Sequence, residues 1–209
     1  MSYFITFEGP EGSGKTTVIE QIRALLAETH EVVKTREPGG IPISEKIREV
    51  LLTKDYDMDG RTEALLFAAS RRQHLVERVV PALEAGKIVL CDRFVDSSLA
   101  YQGIARGIGF DDIMAINKFA IDSYMPDLTI YLKLDPETGL QRIRDNAREN
   151  NRLDDETIDF HKKVVLGYNE LSELYPDRIK IVDADQSVEN VVRDTLNIIN
   201  TYIQSRGEE

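Results

Sequence analysis

A parallel, doubly wound α/β sheet is the fold this sequence predicts, and three observations predict it. Short apolar runs alternate with helix-period segments five times along 209 residues, the signature of strand and crossover helix in turn. Such crossovers are right-handed, so they lay their helices on both faces of one sheet. Glycine- and proline-marked turns punctuate the pattern, and no repeat, linker or low-complexity stretch divides it. One domain over residues 1–209 is expected, and 42% hydrophobic content suffices for its core.

The first strand, Tyr3-Phe4-Ile5-Thr6-Phe7, stops at Glu8 and a glycine-rich turn, and a helical pattern follows at once. Gly9, Gly14, Lys15 and Thr16 stand at the spacing G-x-x-x-x-G-K-T of a P-loop. At that spacing the backbone N–H groups of Gly9, Pro10, Glu11, Gly12, Ser13, Gly14, Lys15, Thr16 and Thr17, proline excepted, can wrap a triphosphate at the positive end of a helix. Lys15 reaches the outer phosphates and Thr16 can hold magnesium. Val18, Ile19, Ile22, Leu25 and Leu26 give the helix one apolar stripe for the sheet.

A second strand, residues 31–35, ends in Arg36-Glu37-Pro38-Gly39-Gly40, a loop at the strand end where open α/β sheets bind ligands. A short helix over 43–52 and a polar segment over 54–60 lead to a longer helix over 61–85. Phe67 and Arg71 are four apart there and share a face. On pattern alone the spacing favours a core ring beside a solvated guanidinium, and the functional alternative is a flat pair offered to a planar base.

The strand over 87–91 opens into Asp92-Arg93-Phe94. A carboxylate at that strand top lies beside the P-loop, where magnesium needs an oxygen ligand or a held water. Ser97, Ser98, Tyr101 and Gln102 follow, with Ser98 and Gln102 on one face, either helix surface or site wall. After a loop over 103–109 come a helix over 111–123, a strand over 128–134 and a helix started by Asp135-Pro136. That helix runs into Arg142, Arg144, Arg148 and Arg152, interleaved with Asn146, Asn150 and Asn151. Such a charge run is a solvated face or a lid, at about 142–153, that folds cations over transferring phosphates. A helix over 155–174, a strand over 179–182, a loop over 183–186 and a helix over 188–203 complete the pattern.

A net charge of -11 argues against a nucleic-acid backbone or an anionic membrane surface as partner, so an anionic substrate must be small and met by local cations. Cys91 stands alone inside an apolar run, which excludes an internal disulfide and fits a buried thiol in a reducing compartment. With no apolar run of transmembrane length and no charged leader before the first strand, a cytoplasmic location is expected. His30, His74 and His161 are scattered and make no metal site, and no Ser/His/Asp or Cys/His constellation emerges.

These parts fit phosphoryl transfer, which rests on positioning and charge neutralisation. If the acceptor is itself a phosphate, its oxygen is already ionised and no general base is required. Two competing classes are a GTPase-like switch and a binding module without turnover. Asn117-Lys118-Phe119-Ala120 lacks the acid of a guanine-reading N-K-x-D, and Asp57-Met58-Asp59-Gly60 follows no strand, which weakens the first. Intact Lys15, Thr16, Asp92 and Arg93 weaken the second.

The P-loop, Thr35-Arg36-Glu37-Pro38-Gly39-Gly40, the segment 67–72 and Leu90-Cys91-Asp92-Arg93-Phe94-Val95-Asp96-Ser97-Ser98-Leu99-Ala100-Tyr101-Gln102 together resemble the bacterial thymidylate kinase family over nearly the whole chain. The resemblance implies a P-loop NTPase fold with a five-stranded parallel sheet and a short lid. It further implies transfer of the γ-phosphate of ATP to dTMP for dTTP synthesis, with Mg2+ as cofactor and a homodimer as the assembly. Another nucleoside monophosphate kinase is the nearest alternative.

By this resemblance Phe67 stacks on thymine, Arg71 and Gln102 bond its edge with Ser98 nearby, Tyr101 crowds the sugar and Glu11 meets the 3′-hydroxyl. Arg93 and Arg36 hold the acceptor phosphate, with Glu37 and Asp92 close to magnesium or its waters and Thr16 as the other metal residue. Lys15, Asp92, Arg93, Arg148 and Arg152 are the expected catalytic set, because the variable P-loop positions Pro10, Glu11, Gly12 and Ser13 carry no basic residue and the lid must supply it. Phe94 departs from the Tyr or His of many relatives, with little effect expected. Apolar helix faces near Ile47 and Leu75 are candidates for the dimer contact.

Overall fold

The computed structural model describes residues 2–55, 57–145 and 152–207. Its strands are β1 (Tyr3–Glu8), β2 (Val32–Arg36), β3 (Ile88–Asp92), β4 (Leu128–Lys133) and β5 (Ile179–Asp183). They form one all-parallel sheet in the order β2-β3-β1-β4-β5. The helices are α1 (Lys15–Leu26), α2 (Pro42–Leu52), α3 (Gly60–His74), α4 (Val80–Glu84), α5 (Val95–Ser98), α6 (Phe110–Ile121), α7 (Pro136–Asp145), α8 (Ile158–Leu174) and α9 (Val188–Gly207).

Every residue of central β1 is buried, and the strand's two faces serve two clusters. Tyr3, Ile5 and Phe7 pack with Val18, Ile19, Ile22 and Leu26 of α1 and with Val191, Val192 and Ile199 of α9. Phe4 points the other way, among Leu75, Val79, Val89 and Phe94. Helices on both faces explain why the central strands β1, β3 and β4 read as nearly unbroken apolar runs.

From β1 the chain crosses to β2, returns to β3 beside β1, and then passes to β4 on the far side. The winding therefore reverses between β1 and β3, and a crevice opens beyond their C-terminal ends. In register, Phe7 pairs with Asp92, and Arg93 N–H donates to the Phe7 carbonyl at 2.9 Å. The P-loop and the Asp92-Arg93 pair are thereby brought side by side.

The last helix runs four residues past its expected end, to Gly207, and three other boundaries differ from the sequence expectation for a physical reason. The helix expected over 61–85 is interrupted by a π-helical turn, Leu75–Val79, between α3 and α4. Pro81 lacks an N–H and its ring would crowd the carbonyl of Glu77, and the wider turn absorbs that clash. A second π-helical stretch, Leu99–Ala105, continues α5, so the expected loop over 103–109 starts later. Gly167 of α8 makes the room for it, since a Cβ there would lie 3.0 Å from the Cα of Ala100. The helix expected from 155 begins at Ile158, because the Thr157 hydroxyl accepts the Phe160 N–H at 3.3 Å and caps it. Asp59, in the segment resembling D-x-x-G, is likewise a cap, accepting the Arg61 and Thr62 N–H groups at 3.0 Å each.

Candidate active site

A cleft of about 980 Å³ lies across the C-terminal ends of β1, β2 and β3 and gathers nearly all the residues expected of the site. At its donor end the P-loop bends through Gly9, Gly12 and Gly14, all at positive φ. Gly12 also has no room for a side chain, since a Cβ would strike the backbone of Gly139 on α7. Lys15 is buried and curls over its own loop, donating to the Gly9 and Pro10 carbonyls at 3.0 and 2.9 Å and to the Ser13 hydroxyl at 3.1 Å. Burial, with the Arg93 charge nearby, lowers its pKa to about 8. Thr16 Oγ1 donates to Asp92 Oδ2 at 3.2 Å, placing a hydroxyl and a carboxylate together at the loop's outer edge.

Beyond the P-loop stands Arg93, a non-glycine residue at φ 69° whose guanidinium is aimed back across the site. It donates to the Gly9 carbonyl at 3.0 Å, the Tyr168 hydroxyl at 3.1 Å and Glu11 Oε1 at 2.7 Å, and lies 5.1 Å from the Tyr101 ring centroid. Tyr101 donates its hydroxyl to the same Glu11 oxygen at 3.2 Å, and burial pushes that hydroxyl's pKa well up, keeping it protonated. Arg36 also lines the cleft, held by both oxygens of Glu45 at 2.7 and 2.8 Å.

Sequence reasoning missed two residues here. Arg48, one helical turn after Ser44, lines the cleft and donates to the Pro38 carbonyl at 3.0 Å. Glu8, the last residue of β1, is wholly buried and accepts from Phe94 N at 2.7 Å, Ser97 Oγ at 2.6 Å and Tyr168 Oη at 2.9 Å. Burial, reinforced by the neighbouring Asp96 charge, raises its pKa to about 7. Its position just before the first glycine was the available signal. Glu8 anchors the start of α5 and the hydroxyls that steady Arg93.

At the acceptor end Phe67 is half-buried on the cleft wall. Arg71 is only 2% exposed, which rules out a solvated guanidinium. Its Nε donates to Glu37 Oε2 at 2.7 Å, one terminal nitrogen donates to Ser98 Oγ at 3.0 Å and to Asn117 Oδ1, and the other donates to the Phe94 carbonyl at 2.9 Å. Glu37, expected near magnesium or its waters, commits both oxygens here, the second to His74 Nδ1 at 2.8 Å. His74 in turn bonds Thr35 Oγ1 through Nε2 at 2.6 Å, so this histidine belongs to the site's support. Asn117, in the segment resembling N-K-x-D, is buried against Arg71. Gln102 Nε2 donates to Glu63 Oε1 at 2.8 Å, and Glu63 is another carboxylate the sequence pattern did not single out.

Of the lid arginines, Arg142 lines the cleft and donates to the Ala184 carbonyl at 3.0 Å. Arg152 is placed on Glu63 and on the Leu51 carbonyl, and the structure does not bring it to the P-loop. Arg148, with the asparagines beside it, falls outside the described residues.

A sequence model of the family described as thymidylate kinase matches residues 7–195. The chain is 64% identical to the thymidylate kinase of Clostridium novyi over 90% of its own length and 93% of that protein's. It is 59% identical to that of Halalkalibacterium halodurans, covering 94% and 95%. A crystal structure of thymidylate kinase from Ehrlichia chaffeensis superposes with a TM-score of 0.79 at 34% identity, covering 95% of this chain and 98% of that one. Sequence match and fold thus agree along nearly the entire length, and the chain belongs to the thymidylate kinase family.

Proposed function

We propose that the chain transfers the γ-phosphate of ATP to dTMP, giving ADP and dTDP for dTTP synthesis, as one nucleoside monophosphate kinase domain with a lid at about 142–153. One observation carries this reading. The P-loop and a pocket walled by Phe67, Arg71 and Gln102 are the two ends of one cleft, with Arg93 between them.

ATP phosphates lie along residues 9–17, and binding transfers Lys15 from its own loop carbonyls to the outer phosphates. Thr16 and Asp92 fit magnesium, since the pair supplies hard oxygens 3.2 Å apart beside the phosphate loop and this ion takes few protein ligands. When bound, the ion neutralises charge on the transferred group. Arg36, Arg48 and Arg93 hold the acceptor phosphate, whose ionised oxygen needs no general base. Glu11, already steadied by Arg93 and Tyr101, meets the sugar 3′-hydroxyl, and Tyr101 crowds the 2′ position. Phe67 stacks on thymine while Arg71, Ser98 and Gln102 face its edge, and Glu37 serves by fixing Arg71. Arg148 and Arg152 complete the γ-phosphate site on lid closure, which requires Arg152 to leave Glu63.

The reaction is assigned to the cytoplasm. The described residues contain no helix long and apolar enough to cross a membrane. A homodimer is the proposed assembly. The face near Ile47, half-buried on α2, is kept as part of the proposed contact, whereas Leu75 is fully buried and gives way to the exposed apolar residues on and near α3 and α6, Leu65, Val76 and Phe119, the last 91% exposed. Sedimentation equilibrium tests it, with Phe119→Glu expected to give monomer.

The direct test of the activity is ADP release from Mg-ATP, in a coupled assay, with dTMP, dUMP, dCMP, dAMP, dGMP, UMP and AMP as acceptors and thymidine as a control. Strong preference for dTMP is expected. Preference for another monophosphate would overturn the base assignment, and no turnover with any acceptor would overturn the reaction.

A further inference from the structure

Glu63 has no role in the reaction derived above, yet it is fully buried at the acceptor end of the cleft. Its Oε1 accepts from Gln102 Nε2 at 2.8 Å and Arg106 Nε at 3.3 Å, and its Oε2 accepts from Arg106 at 3.1 Å and from Arg152. Burial pushes its pKa upward, but the Arg106 charge and the hydrogen bonds from Arg152, Gln102 and Arg106 outweigh it and hold the carboxyl below its usual range. The group is therefore ionised, and an ionised carboxylate can only accept. That settles which end of the Gln102 amide faces it. The NH2 must point at Glu63, and Oε1, which no hydrogen bond among the described residues engages, is left for the cleft that Gln102 lines.

Arg71 is fixed by the same device. Its guanidinium has five N–H groups. Four are engaged by Glu37, Ser98, Asn117 and the Phe94 carbonyl, so one donor remains for the cleft. One buried carboxylate thus sets a donor and another sets an acceptor on the same wall.

We infer that Glu63 is a specificity-determining positioning residue, which by locking the Gln102 amide makes it an acceptor toward the substrate base. The inference rests on the thymidylate kinase reading. A base of the imide type offers an N3–H donor and an O4 acceptor, which match Gln102 Oε1 and the remaining Arg71 N–H. An aminopyrimidine such as cytosine offers an N3 lone pair and an N4 amino group, reversed at both positions. Binding it would leave buried polar groups opposed, a situation that supports large discrimination ratios. An amide free to rotate would present its NH2 instead, and half of the discrimination would vanish. Gln102 reads the base, and Glu63 decides what Gln102 reads.

The test is the ratio of kcat/KM for dTMP to that for dCMP, in the wild type and in Glu63→Gln. A neutral amide at 63 can accept or donate, so Gln102 is released, and the ratio is expected to fall by on the order of tenfold or more, chiefly through a lower KM for dCMP. The exchange variant Glu63→Gln with Gln102→Glu places a carboxylate directly against N3 and should restore the preference for dTMP, which a purely structural role for Glu63 would not do. A folded Glu63→Gln enzyme with an unchanged ratio would overturn the inference while leaving the kinase reading intact. A wild type that does not turn over dTMP would overturn both.

Should Glu63→Gln not fold, the wild type carries a second readout. The 15N-resolved Gln102 side-chain NH2 should be protected from solvent exchange in the ligand-free enzyme and stay so when dTMP binds. An NH2 that exchanges freely without ligand and becomes protected only with dTMP donates to the base, and contradicts the inference.

Discussion

From Gly9 to Thr16 consecutive residues supply the donor end with backbone N–H groups and one lysine, whereas the wall around Arg71 is assembled from distant parts of the chain. Arg71's partners lie 34, 27, 46 and 23 positions away, at Glu37, Ser98, Asn117 and Phe94. The donor end is exposed at Thr16 and Thr17 and grips a group that every nucleoside triphosphate carries. The acceptor end is buried, with charges paired in a low-dielectric interior where each partner fixes another's orientation. The first construction yields grip without discrimination of the base, and the second yields discrimination through oriented side chains.

The largest expected effect breaks the donor end. Lys15→Ala should lower kcat by about 10²- to 10³-fold, because the lysine stabilises charge that develops in transfer. Near-normal turnover would remove the P-loop from the account. The wild type should show the same dependence through pH. With its pKa lowered to about 8, Lys15 is charged below that pH and loses its proton above it. In a pH profile, kcat/KM for ATP should therefore fall as pH rises through about 8, since that parameter reports the free enzyme.

Arg71→Ala should break the acceptor end in two ways at once. It leaves Glu37 buried without its main cation, so stability should drop by roughly 3–5 kcal/mol, visible in denaturant unfolding. In the folded fraction, KM for dTMP should rise more than KM for ATP. Equal rises would mean a general structural lesion.

Phe67→Ala sharpens the contrast, because among the described residues no hydrogen-bond or ion-pair network depends on that half-buried ring. Loss of stacking, about 1–3 kcal/mol, should raise KM for dTMP roughly tenfold or more with little change in melting temperature. A large loss of stability with unchanged KM would make Phe67 a core residue. The smallest expected effect is at Arg152. Its replacement by Ala should reduce kcat while dTMP affinity survives, and an unchanged kcat would transfer the role to a neighbouring lid residue.

Legibility in the sequence follows the same division. The P-loop was readable because its geometry is local, a strand, a glycine turn and a helix in succession. The three central strands β1, β3 and β4 were readable because burial on both faces leaves apolar runs, and the observed ends of all five strands fall within two residues of those expected. The two π-helical stretches were not, because they answer to Pro81 and to the packing of Gly167 on Ala100 rather than to hydrophobic period. Phe67, Arg71 and Gln102 were singled out by shared faces and family likeness, but their orientation was invisible. Glu8 and Glu63 look in the sequence like ordinary carboxylates and Glu37 is expected near magnesium or its waters, and only burial beside Tyr168, Gln102 and Arg71 reveals all three as supports. His74 shows the same limit, since its link from Thr35 to Glu37 spans 39 and 37 positions.

The central claim is that this cleft discriminates at one end only. The measurement that tests it most directly is a pair of kcat/KM series, one varying the donor triphosphate among ATP, dATP, GTP and CTP at saturating dTMP, the other varying the acceptor monophosphate at saturating ATP. The account predicts a shallow spread across donors and a spread steeper by orders of magnitude across acceptors, with dTMP at its head. Equal spreads, or a steeper one across donors, would contradict it.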